Sequence, residues 1–396
     1  MTTTRDAARF RWMALGAFVL STAINYLDRA TLATLAPAVK RDFHLSSAEY
    51  GWIVNAFLFT YMLAAPFAGM LVDRLGLNRA AVLAVGLWSC AGIATGLTRG
   101  VAGLAACRAV LGLAEAGGIP AAGKAIHHFL KPGERALGNA ANQAAVSLGM
   151  VLAPPIATWI FVRSGWREAF VATGCIGLLW IPLWLCLAPR GDGGTVSPPA
   201  DWPKEILRDR RLWAFVVANA LSMVPYGLWV NFTTLYFVEA QRLTMVQAAW
   251  YAWIPPVLAA AGGFGGGWLS LRWIERGLEP APARMRACLV GAALSLATAA
   301  IPAAPTPALA AVGISLSFFA ASAFSVNMYS LPLDAFGGPR AGFAVSMLTA
   351  SAGAAGLIAP AFGWLIDRHG YAPVTSIAAV CPLAGWAVLA RVRAAR

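Results

Sequence analysis

The chain has 396 residues, of which 59% are hydrophobic and only 12% are charged, and its mean hydropathy is +0.66. About a quarter of the residues in a soluble globular domain are charged, so this composition excludes an ordinary soluble enzyme or nucleic-acid-binding protein, despite the net charge of +13. The six cysteines fall within apolar segments without CxxC spacing, which argues against a disulfide framework or a metal site.

Apolar segments long enough to cross a bilayer follow one another along the whole chain. A spanning helix needs about 20 predominantly apolar residues. We predict twelve spans, at residues 12–38, 50–72, 79–98, 101–124, 137–161, 167–188, 212–238, 246–271, 285–302, 306–331, 341–366 and 372–390. The predicted fold class is therefore an all-α membrane protein.

One long polar connection divides the chain. Residues 189–211 are rich in glycine, proline and charge, whereas the other connections are short. We predict an N-terminal six-helix half at 1–188, a cytoplasmic linker at 189–211 and a C-terminal six-helix half at 212–396. Two repeated halves of six helices are typical of large secondary transporters.

Lysine and arginine are distributed unevenly between alternate loops. With the N-terminus in the cytoplasm, 21 of the 30 lie on the cytoplasmic side, 7 lie outside and 2 lie within spans. Cytoplasmic loops of membrane proteins carry an excess of these residues. The bias predicts that both termini are cytoplasmic.

A motif of glycines and charges joins the second and third spans. It comprises Gly69, Asp73, Arg74, Gly76 and Arg79. Small residues let helices approach closely, and the charges can pair or cap helix ends. A partial copy at 363–370 favours an internally repeated fold over the alternative of an ordinary charged loop.

The motif and the twelve-span plan resemble the major facilitator superfamily along essentially the whole chain. The Gly69–Arg79 stretch is similar to the signature that this superfamily carries between helices two and three. The resemblance implies a rocker whose two halves alternate access to a central cavity lined by helices 1, 4, 7 and 10. It further implies a gating role for the motif and a monomer.

Three further stretches resemble the anion:cation symporter family. They are Asn25–Arg29 (Asn-Tyr-Leu-Asp-Arg), Arg108–Pro120 and Asp334–Gly342. That family includes bacterial hexuronate, galactonate and phthalate-type permeases, so the resemblance implies the bacterial inner membrane. The seventh span departs from the Trp-Leu-Pro-x-Tyr pattern of sugar-acid members, which leaves the substrate open.

Four ionisable residues lie well inside the predicted apolar layer: Asp28, Arg29, Arg108 and Glu115. Each costs about 2.5–3.5 kcal/mol on insertion scales, and such residues face a cavity or a partner. Arg108 and Glu115 are about two helical turns and roughly 10 Å apart on one face. A side chain of the first span, or a ligand, is therefore expected between them.

These charges allow two interpretations. They could be structural ion pairs that join the first and fourth spans. Alternatively an arginine binds an anion, since its planar fork matches a carboxylate, while an acid binds a proton. Anion and proton would then bind cooperatively. The resemblance implies the second role, with Asp28 and Glu115 in proton coupling and Arg29 and Arg108 in substrate binding. We favour Arg29 for direct contact and Arg108 as the partner of an acid.

Neutral polar side chains complete the predicted site. The candidates for substrate binding are Tyr26, Tyr61, Asn231, Asn327 and Tyr329. Side chains of this kind can bind substrate hydroxyls. The alternative is that they hold helices together by hydrogen bonds.

The sequence thus predicts a proton-coupled symporter that imports an organic anion such as a sugar acid. The proton is the coupling ion and no cofactor or nucleic acid is expected. The alternative is a drug/proton antiporter, although the fifth span lacks the trailing glycines of the Gly-Pro-x-x-Gly-Gly pattern of that group. No nucleophile–base arrangement in the sequence suggests an enzyme.

Overall fold

The structure is a computed structural model, and it describes residues 4–131, 134–188, 204–336 and 338–394. The regular elements in these ranges are helical. The α-helices are α1 Thr4–Asp42, α2 Ser47–Leu75, α3 Leu77–Leu97, α4 Val101–Glu115, α5 Gly118–Phe129, α6 Arg135–Ser164, α7 Trp166–Leu187, α8 Arg210–Leu235, α9 Met245–Ala252, α10 Ile254–Glu275, α11 Pro280–Leu294, α12 Pro307–Phe336, α13 Gly338–Gly356, α14 Ala359–His369 and α15 Tyr371–Ala394. A π-helical turn at Tyr236–Ala240 extends α8, and a 3₁₀-helix at Ser295–Ala303 extends α11.

Three predicted spans are each built from two helices. The fourth is α4 and α5, the eighth is α9 and α10, and the eleventh is α13 and α14. Pro255 and Pro256 occupy the first turn of α10, and Pro360 that of α14. Proline lacks an N–H and is tolerated in a first turn, where that donor has no intrahelical partner. Hydropathy averages over such breaks, so the sequence predicted continuous spans here.

Nine helical segments in the described ranges are long and apolar enough to cross a membrane by length and composition. They are Leu77–Leu97, Val101–Phe129, Leu137–Ser164, Trp166–Leu187, Arg210–Ala240, Pro280–Ala303, Pro307–Phe336, Phe343–His369 and Tyr371–Arg391. They correspond to nine of the twelve predicted spans. The other three are α1, α2 and the α9–α10 pair. Polar residues interrupt α1, and α10 contains five glycines and two prolines, which lower the hydropathy of a span.

The chain divides into two compact units. The first comprises residues 1–39 and 56–200, and the second comprises 40–55 and 201–396. The predicted division at 1–188, 189–211 and 212–396 stays a prediction, because residues 189–203 of the linker lie outside the described part.

Two tryptophans of α7 hold α1 in place within the first unit. The rings of Trp180 and Trp184 stack with centroids 5.4 Å apart, and Trp184 packs edge-on against Phe18 at 5.7 Å. The indole N–H of Trp180 donates a hydrogen bond of 2.6 Å to the Ala17 carbonyl. Both indoles are almost fully buried. These contacts determine which face α1 turns toward the interior of the unit.

Helices α2 and α4 approach each other closely at a glycine. A Cβ added at Gly112 would collide with the Phe57 carbonyl and the Thr60 hydroxyl. At the same place the Thr60 hydroxyl donates a 2.8 Å hydrogen bond to the carbonyl of Ala109. A small residue at this position is therefore a packing requirement, as is common between membrane helices.

Gly112→Ala is expected to destabilise the protein by about 1–3 kcal/mol, because the backbone of α2 must move to admit one methyl group. Thermal unfolding of the detergent-purified protein measures the loss. Gly123→Ala in α5 is the matched control, since a Cβ there meets no atom within 4 Å. Equal midpoints for both variants would show that α2 and α4 do not pack as described.

In the second unit the partial motif copy caps a helix. The Asp367 carboxylate accepts backbone hydrogen bonds from Ser47 at 2.9 Å and Ala48 at 3.0 Å, at the N-terminus of α2. A carboxylate there satisfies free N–H groups and complements the helix dipole. Lys40 pairs with Glu239 at 2.8 Å nearby. Residues 40–55 thereby join the helices of the second unit.

Candidate transport site

An ion pair between α1 and α4 forms the centre of the candidate site. The Nε of Arg29 donates a hydrogen bond to Oε2 of Glu115. The Glu115 side chain is fully buried, whereas that of Arg29 is 23% exposed. The arginine is therefore the partner that can reach a ligand.

Three aromatic rings surround the Arg29 guanidinium. Its carbon lies 5.0 Å from the ring centroid of Tyr26, 4.9 Å from Phe57 and 4.8 Å from Tyr61. Cation–π attraction stabilises a guanidinium in this setting, and exclusion of water strengthens its interaction with an anion. Tyr26 and Tyr61 were predicted and Phe57 was not. Phe57 precedes Tyr61 by four residues in α2, and this spacing on one helix face could have indicated that Phe57 belongs to the same site.

Asp28 and Arg108 lie deeper in the first unit, each 3% exposed. The Asp28 carboxylate interacts electrostatically with Arg108 and with Glu115. The Arg108 guanidinium lies 5.2 Å from the ring centroid of Phe170 on α7. The four predicted charges therefore cluster, with Arg29 next to Glu115 and Arg108 near Asp28. Asp28, a side chain of α1, thus interacts with both Arg108 and Glu115.

Glu115 is the last residue of α4, and the span breaks immediately after it. Ala116 and Gly117 form a turn before α5 begins at Gly118. Pro120 lies in the first turn of α5, where a missing N–H costs little. The carbonyl end of a helix carries partial negative charge, which opposes a carboxylate there. Arg29 offsets that repulsion.

A cavity of about 240 Å³ opens beside this ion pair in the first unit. Arg29, Glu115, Tyr26 and Tyr61 line it, and Asp28 and Arg108 do not. Its other polar lining residues are Ser21, Thr22, Asn25, Asn142 and Gln143. Most of the remaining wall is alanine, valine and glycine from α2, α3, α5 and α6. Space for a small ligand thus exists next to the partly exposed guanidinium of Arg29.

The three predicted substrate-binding residues of the second unit make contacts within that unit. The Asn231 amide donates to the Gly227 carbonyl of its own helix at 2.9 Å. Asn327 is 1% exposed and donates to Gly266 at 2.9 Å, which joins α12 to α10. Tyr329 packs against the apolar core. These contacts favour the helix-packing alternative for Asn327, and substrate binding by the three residues stays a prediction.

The predicted gating motif lies at the junction of α2 and α3. Arg74 and Arg79 are exposed, and Gly76 has a φ of 78°, a left-handed conformation that favours glycine. At Gly69 and Asp73 the structure describes only the helical backbone of α2. The motif's role in gating stays a prediction.

A family model described as Major Facilitator Superfamily matches residues 18–360. The chain belongs to this superfamily. Among its relatives, the hexuronate transporter of Escherichia coli (strain K12) is 28% identical, and the match covers 97% of this chain and 95% of that protein. A probable sulfoacetate transporter of Cupriavidus necator is 29% identical over 92% of this chain and 90% of that protein.

The fold of this major facilitator also matches solved structures. A bacterial homolog to the human lysosomal transporter Spinster has a TM-score of 0.76 at 22% sequence identity, with coverage of 97% of this chain and 96% of that one. The family and this likeness confirm the predicted fold class, an all-α membrane protein of twelve transmembrane helices in two six-helix halves. The relatives are transporters of anions, which confirms the predicted resemblance to the anion:cation symporter family and a transporter rather than an enzyme.

Proposed function

We propose that this transporter imports a small organic anion, such as a sugar acid or another carboxylate, together with a proton. The observation that carries the proposal is the Arg29–Glu115 ion pair on the wall of a cavity. Arg29 can bind the carboxylate of the substrate, and it is paired with Glu115, which can bind a proton. The names of the relatives, hexuronate and sulfoacetate transporters, support an anionic substrate.

The coupling follows from competition for Arg29. A substrate carboxylate that binds the guanidinium weakens the interaction between Arg29 and Glu115. A buried carboxylate without a cation is costly, and binding a proton removes that cost. Substrate binding therefore favours proton binding at Glu115, and by linkage the proton favours the substrate. When Glu115 later loses its proton, the ion pair re-forms and the substrate is displaced.

Asp28 and Arg108 form the second acid–base pair of the proposal. Both side chains are buried and neither lines the cavity, which supports a role for Arg108 as the partner of Asp28 rather than as a direct ligand of the substrate. We assign Asp28 to proton coupling alongside Glu115, because the two carboxylates interact. Rocking of the two halves exposes the site to each side of the membrane in turn.

We place the protein in the bacterial inner membrane as a monomer, with both termini in the cytoplasm. The excess of lysine and arginine in alternate loops supports this orientation. The motif of Gly69, Asp73, Arg74, Gly76 and Arg79 is assigned to gating between α2 and α3.

Proteoliposomes with an acidic exterior test the function. We expect saturable accumulation of at least one radiolabelled acid from a panel of sugar acids, aromatic acids and small mono- and dicarboxylates. A protonophore should abolish the accumulation, and empty liposomes are the control. Gradient-driven extrusion of a lipophilic cation, without anion uptake, would contradict the proposal and support a drug antiporter.

A further inference from the structure

A second cavity, of about 360 Å³, lies within the second unit. Four helices line it near their ends: α8 and α11 begin beside it, and α12 and α15 end beside it. In the proposed orientation these helix ends are on the cytoplasmic side. Pockets that bind small ligands have volumes of about 300–1,000 Å³, so this cavity has room for one small group. Its residues belong neither to the transport site nor to the gating motif.

The wall of this second cavity combines an apolar floor with a charged rim. Leu331 and Leu389 are each 4% exposed and belong to the apolar core of the unit. The charged lining residues are Arg211 at the start of α8, Glu279 before α11 and Asp334 near the end of α12. These three residues are exposed or partly exposed. A ligand with an apolar part and a charged head matches such a wall.

Two of the rim charges are held in place by ion pairs. Arg211 donates to Oδ2 of Asp209 through Nε at 3.0 Å and through Nη2 at 2.7 Å, and its guanidinium lies 4.9 Å from the ring centroid of Phe336. The Asp334 carboxylate accepts a 2.6 Å hydrogen bond from Arg284. A guanidinium has five N–H donors, and Nη1 of Arg211 takes no part in its pair. Arg211 therefore keeps donors for an anionic oxygen.

Glu279 is the rim charge without an ion pair among the residues that the structure describes. It is exposed at the N-terminus of α11, and its side chain makes no capping hydrogen bond. The pairs of Arg211 with Asp209 and of Arg284 with Asp334 are each neutral, so Glu279 gives the rim a net charge of about −1. A complementary ligand must therefore bring a cationic group to Glu279, while an anionic oxygen can bind Arg211.

The outer surface beside the rim is apolar. Trp213 is 47% exposed and Leu333 is 56% exposed, and they lie within two residues of Arg211 and Asp334 in the sequence. The indole N–H of Trp213 donates a 2.8 Å hydrogen bond to the Leu207 carbonyl. Tryptophan is enriched at the level of the lipid headgroups, where its ring contacts lipid and its N–H has a partner. The rim is therefore placed where a lipid head can reach it.

We propose that this cavity binds the head of a zwitterionic aminophospholipid, with the ammonium group on Glu279 and the phosphate on Arg211. The glycerol and the first carbons of an acyl chain then lie against Phe215 and Leu331, which line the cavity. Phosphatidylethanolamine has this chemistry. Phosphatidylcholine has no N–H to donate to Glu279, and phosphatidylglycerol has no cation and repels it. The bound lipid contacts α8, α11 and α12 and so stabilises the second unit.

Thermal unfolding of the delipidated full-length protein tests the proposal. Dioleoyl forms of phosphatidylethanolamine, phosphatidylcholine and phosphatidylglycerol are added separately to detergent micelles at increasing mole fraction. We expect phosphatidylethanolamine to reach half of its stabilising effect at a mole fraction about tenfold lower than the other two lipids, the effect of one charge-assisted hydrogen bond. Glycerophosphoethanolamine, the head without acyl chains, should not stabilise the protein at the same concentrations.

Glu279→Gln removes the charge at constant size, and we expect it to bring the tenfold preference close to one. Its unfolding midpoint without added lipid should equal that of the wild type, because Glu279 is exposed. Glu279→Asp keeps the charge and should retain part of the preference. Glu275→Gln is the matched control, since Glu275 is an exposed acid at the end of α10 that does not line the cavity. This control should keep the wild-type preference.

Three results would overturn the inference. Equal stabilisation of the wild type by the three lipids would show that the cavity does not select an aminophospholipid. A preference that survives in Glu279→Gln would place the lipid site elsewhere. Equal stabilisation by glycerophosphoethanolamine would identify the cavity as a site for a soluble molecule instead of a lipid.

Discussion

Glu115→Gln is expected to abolish uphill accumulation of the substrate while exchange of external for internal substrate continues. The amide retains the size of the side chain and an oxygen that can accept from Arg29, but it cannot take up or release a proton. With a gradient of one pH unit and one proton per substrate, the wild type should accumulate about tenfold, since one unit is worth about 1.4 kcal/mol. The variant should only equilibrate.

The measurement is uptake by proteoliposomes with and without a pH gradient, followed by counterflow in the absence of a gradient. Glu168→Gln makes the same chemical change at an exposed position in the first turn of α7, and it should accumulate like the wild type. Gradient-driven accumulation by Glu115→Gln at the wild-type level would remove Glu115 from the coupling mechanism. Loss of counterflow as well would indicate that the ion pair is structural.

Arg29→Lys is expected to weaken the apparent affinity for the substrate about tenfold to a hundredfold. Lysine keeps the charge, so the pairing with Glu115 can persist. It lacks the planar fork that binds a carboxylate through two parallel hydrogen bonds. A compact ammonium also fits less well than a flat guanidinium among the rings of Tyr26, Phe57 and Tyr61.

Half-saturation of counterflow is the suitable readout for Arg29→Lys, because it does not depend on proton coupling. Arg163→Lys is a matched control. The Arg163 guanidinium also lies over an aromatic ring, 4.0 Å from the centroid of Trp159, but at the exposed end of α6. Unchanged affinity in Arg29→Lys would contradict direct binding of the substrate by Arg29 and favour the interpretation that the charges only join α1 to α4.

Much of the candidate site could be predicted because charge is rare within an apolar span. Asp28, Arg29, Arg108 and Glu115 are identifiable from hydropathy, since each is costly in a bilayer and needs a partner. Tyr26 and Tyr61 were predicted as polar residues of the N-terminal half, and the structure places them around Arg29. Asn327 was predicted on the same grounds, but its amide joins α12 to α10. A polar side chain within a span gives the same sequence pattern whether it binds the substrate or holds two helices together.

The breaks within predicted spans are a second feature that could not be predicted from the sequence. The fourth predicted span contains three residues that disfavour a continuous helix, namely Gly117, Gly118 and Pro120. The apolar sequence nevertheless continues through them, so hydropathy predicts one span. The end of α4 at Glu115 became evident only in the folded chain.

Composition, hydropathy and motifs were enough to predict the membrane class, the approximate positions of most spans, the superfamily and the identity of the charged residues. These depend on composition, on hydropathy over about 20 residues and on short motifs, all of which are local properties. Which charges meet, and which of them reaches a cavity, is visible only in the folded chain. Helical periodicity places Arg108 and Glu115 on one face but leaves open the rotation of α1 against it. The packing of Trp180 and Trp184 against α1 contributes to that rotation, in which Arg29 forms the ion pair with Glu115 at the cavity wall.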